Sequence, residues 1–443
     1  MSSADRAVQP AGLTVTDALL AGERVGLRAL DGLIAEIGPG VAPQPGDDHI
    51  DAAGAILTAP LINGHTHAAM TLFRGYGDDL PLMRWLEEKV WPIERNLDPE
   101  DVYWGTRLAC LEMIRNGTVR FWDMYWHAPA AARAVADSGM RATVAAPLID
   151  ADGRSAAMRD AALGGLDELA GLAAGASAGD RIQPGLAPHA IYTVTEDSLR
   201  WVAEVAAERE LPVQIHLSET EQEVTDCLAA HGARPARYLD RVGLLTPRTV
   251  LAHGVWLDED ELELIADRGA VIVTNPVANL KLAVGGVFPY PRARRAGVQV
   301  GLGTDGPGSN NSLDLFTDMK VLALVQKHAA ADPAAIDAIE AWEIATGRRA
   351  PPLGAATGLE AGQPADFLLL RADVPELSFG ELPAALVYAA TGAVVQTTVV
   401  AGGVLMRDGE IEGAKEVLAR ALERARGLGL APPIASPHAD ELA

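Results

Sequence analysis

The chain has 443 residues, 49% apolar and 22% charged, an ordinary globular composition with room for one large α/β barrel and a smaller accessory domain. Its 60 acidic against 36 basic residues give a formal charge of −24, which repels phosphate backbones and anionic membranes and argues against either as a partner. Residues 1–10 lack the apolar core of a signal peptide, no apolar run reaches membrane length, and Cys110 and Cys227 form no disulfide framework, so a cytoplasmic location is expected.

From Leu13 to Thr58, short strands are broken by turns at Asp31-Gly32, Pro39-Gly40 and Pro45-Gly46, the pattern of a small β-domain. Thr58 to His67 then reads Thr-Ala-Pro-Leu-Ile-Asn-Gly-His-Thr-His, an apolar run ending in two histidines that flank one residue. Side chains two apart on a strand share a face, so His65 and His67 can reach one metal ion. A catalytic zinc-type site needs about three or more protein ligands and an open position for water, so others must come from downstream.

Beyond His67, apolar strands alternate with helical stretches. Strands are predicted at Val119–Met124, Ala142–Leu148, Ile182–Pro188, Pro212–Leu217, Thr249–His253, Ala270–Asn275 and Gln299–Thr304. Asp98-Pro99 caps a helix that runs through Ile114 and stops at Gly117, and Asp258 with Glu261 has capping-box spacing ahead of a helix ending at Gly269. Gly164–Asp180 reads as a helix-to-loop passage. With the strand before His65, the strands predict an α/β (β/α)8 TIM-type barrel over residues 59–352. After Pro352 the pattern returns to β at Asp366–Leu370, Leu386–Tyr388 and Val395–Met406, followed by a helix at Ala414–Arg426. Residues 1–58 and 353–443 are expected to combine into one small β-sandwich domain.

Four more polar groups sit where predicted strands end: His189, His216, His253 and Asp305. In a parallel barrel these ends gather on one face, where reacting groups assemble. Singly, a histidine there is most simply a hydrogen-bonded structural residue, and an aspartate could cap the next helix. His49, His127, His231, His328 and His438 keep that plain reading. The convergence of five of the ten histidines and one aspartate on one barrel face carries the argument.

The His-x-His strand, His216-Leu-Ser-Glu219, His253 in Ala-His-Gly, and Gly303-Thr-Asp-Gly306 followed by Ser309-Asn-Asn311 resemble the amidohydrolase superfamily. Within it, the resemblance is to deaminases of methylthioadenosine and S-adenosylhomocysteine, and it includes Thr71–Glu94 and Asn275–Lys281. It implies one divalent ion, zinc or iron, held by His65, His67, His216 and Asp305 with a bound water. Three imidazoles and a carboxylate suit such an ion, which brings the pKa of its water to about 7. Two-metal members of the superfamily use a bridging carboxylated lysine in mid-barrel, and this chain has no lysine between Lys89 and Lys281. The separated cysteines likewise exclude the H-x-E with P-C-x-x-C zinc deaminase pattern.

The resemblance further implies that Glu219 protonates the ring nitrogen beside the amino-bearing carbon, while His253 and Asp305 orient the attacking water and take its proton. His189 would hydrogen-bond the purine, Trp85 would line the base pocket, and Glu94 would accept the ribose hydroxyls. Without the resemblance, Glu219 is a solvated acid, His189 a strand end, Trp85 core and Glu94 a helix cap. Relatives that accept S-adenosylhomocysteine carry arginines at and after the third strand, whereas here the strand end reads Ala145-Ala146-Pro147 and only Arg154 or Arg159 follows. Adenosine or methylthioadenosine is therefore favoured as the small-molecule substrate, and self-association into a homo-oligomer is left open. The alternatives are guanine-type or triazine hydrolysis on the same scaffold and, third, a metal-binding barrel without turnover. Arg74–Pro92, glycine-containing and carrying Trp85, is the candidate covering segment.

Overall fold

The computed structural model describes residues 11–175, 181–354 and 358–430, so the readings of residues 1–10, of 176–180 and of His438 lie outside the described residues. Strands β1 (Leu13–Leu20), β2 (Glu23–Leu30) and β3 (Leu33–Gly38) form an antiparallel meander. Its two turns, Ala21-Gly22 and Asp31-Gly32, have positive φ at both central residues, the geometry that matches strand twist in two-residue hairpins. Strands β4 (Asp48–Asp51) and β5 (Ile56–Thr58) both run parallel to β1 along its other edge.

The chain then enters the barrel. Its strands are β6 (Leu61–Thr66), β7 (Thr118–Met124), β8 (Arg141–Leu148), β9 (Ile182–Pro188), β10 (Val213–Leu217), β11 (Thr249–His253), β12 (Val271–Thr274) and β13 (Gln299–Leu302). All pair in parallel and in sequence order, so β6 and β13 are the two ends of the ladder. Hydrogen bonds outside the ladder close their seam. The Asp305 N–H donates to the His65 carbonyl at 3.1 Å, and the Thr304 N–H donates to Asn63 Oδ1 at 3.1 Å. The Asn63 amide donates in turn to Thr304 Oγ1 at 2.7 Å. Strands covered on both faces read as continuous apolar runs, and β10, β11 and β12 are buried at every residue.

The outer helices start and stop where local chemistry directs. Helix Pro99–Arg115 opens with a reciprocal capping box between Asp98 and Asp101, and Glu259–Arg268 opens with one between Asp258 and Glu261 and ends at Gly269, φ +69°. Among the described residues no helix is long and apolar enough to cross a membrane.

Strands β14 (Phe367–Leu370), β15 (Val395–Val400) and β16 (Gly403–Met406) complete the small sheet, because β14 pairs antiparallel with β5. The path β16-β15-β14-β5-β1-β2-β3 curls round a core that includes Val15, Leu27, Leu57, Phe367, Leu369 and Val399. Its free edge returns to the chain ahead of β14 through an Ile34 N–H bond to the Gln363 carbonyl at 2.8 Å. The N- and C-terminal segments thus build one small β-domain beside the barrel. A buried ion pair, Arg141 Nε to Asp366 Oδ2 at 2.7 Å, joins the start of β8 to this domain, and Asp366 also accepts the Ala401 N–H at 2.6 Å.

Two local expectations change, and a third is made definite. Leu386–Tyr388, expected as strand, ends the helix Leu382–Tyr388, since a short apolar run looks alike in either state and Pro383 fits the first helical turn. Val395–Met406 is a hairpin turning at Ala401-Gly402. The passage after Gly164 is helical to Ala173 and leaves the helix at 174–175, as its sequence suggested, with Leu166 and Leu169 buried against a glycine penalty of about 1 kcal/mol each.

Candidate metal-dependent active site

His65 ends β6 facing inward, His67 lies just beyond it, His216 is in β10, and Asp305 follows β13. The seam hydrogen bonds bring the first and last of these strands together at His65 and Asp305. His65 Nε2 is 3.3 Å and His67 Nε2 3.2 Å from Asp305 Oδ1, and His216 Nε2 is 3.3 Å from His67 Nε2. Ligand atoms around a tetrahedral ion with bonds of about 2.0–2.1 Å stand about 3.3–3.4 Å apart, so this spacing fits such an ion.

The opposite ring nitrogens hold the same tautomer. His65 Nδ1 donates to Gln214 Oε1 at 3.0 Å, His67 Nδ1 to the Met124 carbonyl at 2.5 Å, and His216 Nδ1 to the His189 carbonyl at 2.8 Å. Carbonyl oxygens only accept, so each Nε2 keeps its lone pair for a ligand. His65 Nε2 is buried without a hydrogen-bond partner, the state expected of a metal-ligand atom. Burial pushes the His65 and His216 imidazoles below their usual range, favouring the neutral, ligating form. Burial opposes charge on His67 too, yet the hydrogen bond and charge of Asp305 raise it to about 9. The His67 and His65 contacts in turn hold the Asp305 carboxyl well below its usual range despite burial.

A second combination is present: His65, His216, His253 and Asp305 also place donor atoms within 4.8 Å of one another. The His253 ring is 5.8 Å from His65, centroid to centroid, against 4.9 Å for His67. His253 Nδ1 donates to Asn279 Oδ1 at 2.8 Å, which turns Nε2 toward the cavity, and burial keeps the ring neutral by lowering its pKa. Glu219 Oε1 lies 3.9 Å from His253 Nδ1. Burial, with Asp305 nearby, pushes the Glu219 carboxyl up to about 8, so it carries a proton at neutral pH. Asp305 Oδ2 accepts the Ser309 hydroxyl at 2.5 Å.

These groups face a cavity of roughly 780 Å³, its mouth included. Trp85, Leu86, Val90, Trp91 and Glu94, from the helical segment after Pro81, form the opposite wall with Leu282. Burial raises the Glu94 carboxyl, while Tyr125, His67 and Trp126 oppose the shift. His189 lines the cavity, pairs through Nδ1 with Thr193 Oγ1 at 2.9 Å, and is kept neutral by burial, which pushes it down to about 3.

Nine of the eleven residues singled out from sequence gather here: Glu94, Trp85, His65, His67, His189, His216, Glu219, His253 and Asp305. Arg154 and Arg159 do not. The helix Ser155–Ala173 begins directly after Arg154, which pairs with Asp152 at 2.6 Å in solvent, while Arg159 donates to Ser198 Oγ at 2.8 Å and lies over Trp201. Among the described residues no lysine or arginine lines the cavity. Sequence reasoning missed Gln214 and Tyr125, and quoted Asn279 and Ser309 within motifs without giving either a role. Gln214 had a signal, since it shares a strand face with His216 two residues on. Tyr125 had none, because an aromatic at a strand end reads as core.

The profile of the amidohydrolase family matches residues 56–405. A 5′-deoxyadenosine deaminase of Methanoregula boonei is 47% identical over 374 residues, 84% of each chain. A 5-methylthioadenosine/S-adenosylhomocysteine deaminase of Syntrophomonas wolfei is 41% identical over 406 residues, 90% of this chain and 93% of that protein. Among solved structures, an adenosine deaminase from Xanthomonas campestris with bound zinc superposes with a TM-score of 0.87 at 32% identity, covering 96% of this chain and 100% of that one.

Proposed function

Since this chain belongs to the amidohydrolase family, we propose that it is a metal-dependent deaminase converting 6-aminopurine nucleosides to 6-oxo products and ammonia, with a small or apolar group at the 5′ position. The observation that carries the reading is the gathering of His65, His67, His216 and Asp305 at the spacing of ligands to one small cation, with the buried Glu219 carboxyl beside His253. Zinc, with iron as the alternative, suits three imidazoles and a carboxylate, and His65, His67, His216 and Asp305 would hold it. His67 is preferred to His253 as a ligand because its Nε2 stands at ligand-to-ligand spacing from both Asp305 and His216.

When bound, such an ion supplies Lewis acidity that brings the pKa of water to about 7. Glu219 delivers its proton to the ring nitrogen adjacent to C6, which makes that carbon electrophilic. His253 Nε2, neutral in its buried setting, and Asp305 hold the attacking water and take its proton. That proton passes to the amino group, the C6–N bond breaks and ammonia leaves, while the proton of the new C6 hydroxyl returns to the Glu219 carboxylate as the 6-oxo form appears. His189 hydrogen-bonds the purine, Trp85 packs on it, and Glu94 offers two acceptor oxygens to the two ribose hydroxyls. Without a cation in the lining, and with carboxylates at Glu94 and Asp305, a 5′ amino-acid carboxylate is disfavoured. This reading keeps the metal-binding barrel within residues 59–352 and the protein in the cytoplasm.

Ammonia release by metal-quantified protein tests it across adenosine, 5′-deoxyadenosine, methylthioadenosine, S-adenosylhomocysteine, guanine and a triazine. The expected order places the first three above S-adenosylhomocysteine and leaves guanine and the triazine unreacted. Turnover of guanine or the triazine alone would overturn the nucleoside assignment.

A further inference from the structure

Glu223 stands one helical turn beyond Glu219 and is buried at 6% exposure. It occupies the third position of helix Glu221–His231, whose cap is Thr220. In an ordinary capping box such a carboxylate reaches back to the cap amide. Here it reaches further: Oε1 accepts the Ser218 N–H at 2.8 Å and Oε2 accepts the Glu219 N–H at 2.9 Å. Ser218 is in the left-handed region, φ +50°, and its carbonyl accepts the Trp256 N–H at 2.9 Å. A non-glycine residue in that region is strained, so the conformation persists because its surroundings dictate it.

Burial pushes the Glu223 carboxyl up to about 8, against the two backbone donors. Both oxygens act as acceptors, and the helix N-terminus adds to the donors, so the carboxylate form fits the contacts. Two parallel acceptors on one rigid group match two successive N–H groups, which no other side chain of this size but aspartate, on a shorter arm, provides.

We propose that Glu223 is a positioning residue that fixes where the Glu219 carboxyl meets the reacting ring, acting through the Ser218 and Glu219 backbone and never on the substrate. The proposal rests on the role given to Glu219 above. In Glu223→Gln, one oxygen still accepts but the amide NH2 faces the second N–H, so the clamp opens at almost constant size. The expected result is a fall in kcat of about 10–100-fold with KM and metal content unchanged. Because the effect passes through Glu219, the same substitution in a Glu219→Gln background adds no further loss. Glu223→Asp, which keeps both acceptors on a shorter arm, is read in the same cycle if the glutamine variant does not fold, with a smaller fall expected. An unchanged kcat, an equal loss in both backgrounds, or a loss that tracks metal content overturns the proposal. A parent inactive on every nucleoside overturns this and the proposed function together, whereas an active parent with an unaffected Glu223→Gln overturns the clamp alone.

Discussion

Burial fits Glu219 for the proton donation proposed for it. Its carboxyl is pushed up to about 8, so the protonated form that chemistry requires is populated at neutral pH and is lost as pH rises. A cation among the nearby donors pulls that value down, so the alkaline fall in kcat is expected at or below about 8. Glu219→Gln is expected to retain metal, to lower kcat by about 10²-fold or more, and to remove that alkaline limb. Elemental analysis and a kcat–pH series check this, and full activity in the variant would refute the role. Glu94→Ala is expected to raise KM for adenosine while leaving turnover of free adenine unchanged, since the base alone has no diol to hold; equal effects on both would remove Glu94 from sugar binding. The gathering of His65 and His67 was legible because strand periodicity gives His-x-His a geometric meaning. The positive φ of His253, +76°, and of Asp305, +60°, was not, because it arises only where a strand end is bent by its neighbours.

At the scale of elements, the segment after Phe73 covers the cavity and is tied down by polar contacts that include the Arg74–Glu112 ion pair and a junction at Lys281. Lys281 Nζ donates to Asp78 Oδ1 at 2.6 Å and to Asn311 Oδ1 at 3.3 Å, and Asn311 Nδ2 donates to Asp78 Oδ2 at 2.9 Å. Gly75 N–H adds a bond to Asn311 Oδ1 at 3.2 Å. Three loops therefore meet at one lysine. Lys281→Met is expected to loosen the covering segment, with up to about 1 kcal/mol lost and KM raised by up to about fivefold at nearly constant kcat. Hydrogen exchange across residues 74–92 checks it, and unchanged protection would show that the segment is held by its apolar contacts instead. The barrel strands were readable as elements because burial on both faces leaves uninterrupted apolar runs bounded by glycine and proline. Leu386–Tyr388 was misread because three apolar residues carry no period, and the helix is decided by packing that only the folded chain supplies.

For the molecule as a whole, the barrel and the small domain share one buried ion pair. Asp366→Ala removes the carboxylate that the Arg141 guanidinium and the Ala401 N–H share, so a loss of about 3 kcal/mol is expected, read from the denaturant midpoint. A loss below about 1 kcal/mol would mean that the guanidinium finds other partners. The presence of a small β-domain built from both ends of the chain was legible, since β patterning recurs at each end. Its curled path, with β5 as the bridge between the two halves, was not, because pairing between strands some 300 residues apart leaves no local trace.

The barrel seam has a consequence for biosynthesis. His65 lies on the first strand of the ladder and Asp305 just beyond the last, and they meet through the Asp305 N–H bond to the His65 carbonyl and the bonds that Asn63 and Thr304 make beside it across the gap. A nascent chain still on the ribosome before its eighth barrel strand emerges holds three imidazoles but no counter-charge. Products truncated before Asp305 therefore lack the completed pocket, which can assemble only once that residue has emerged.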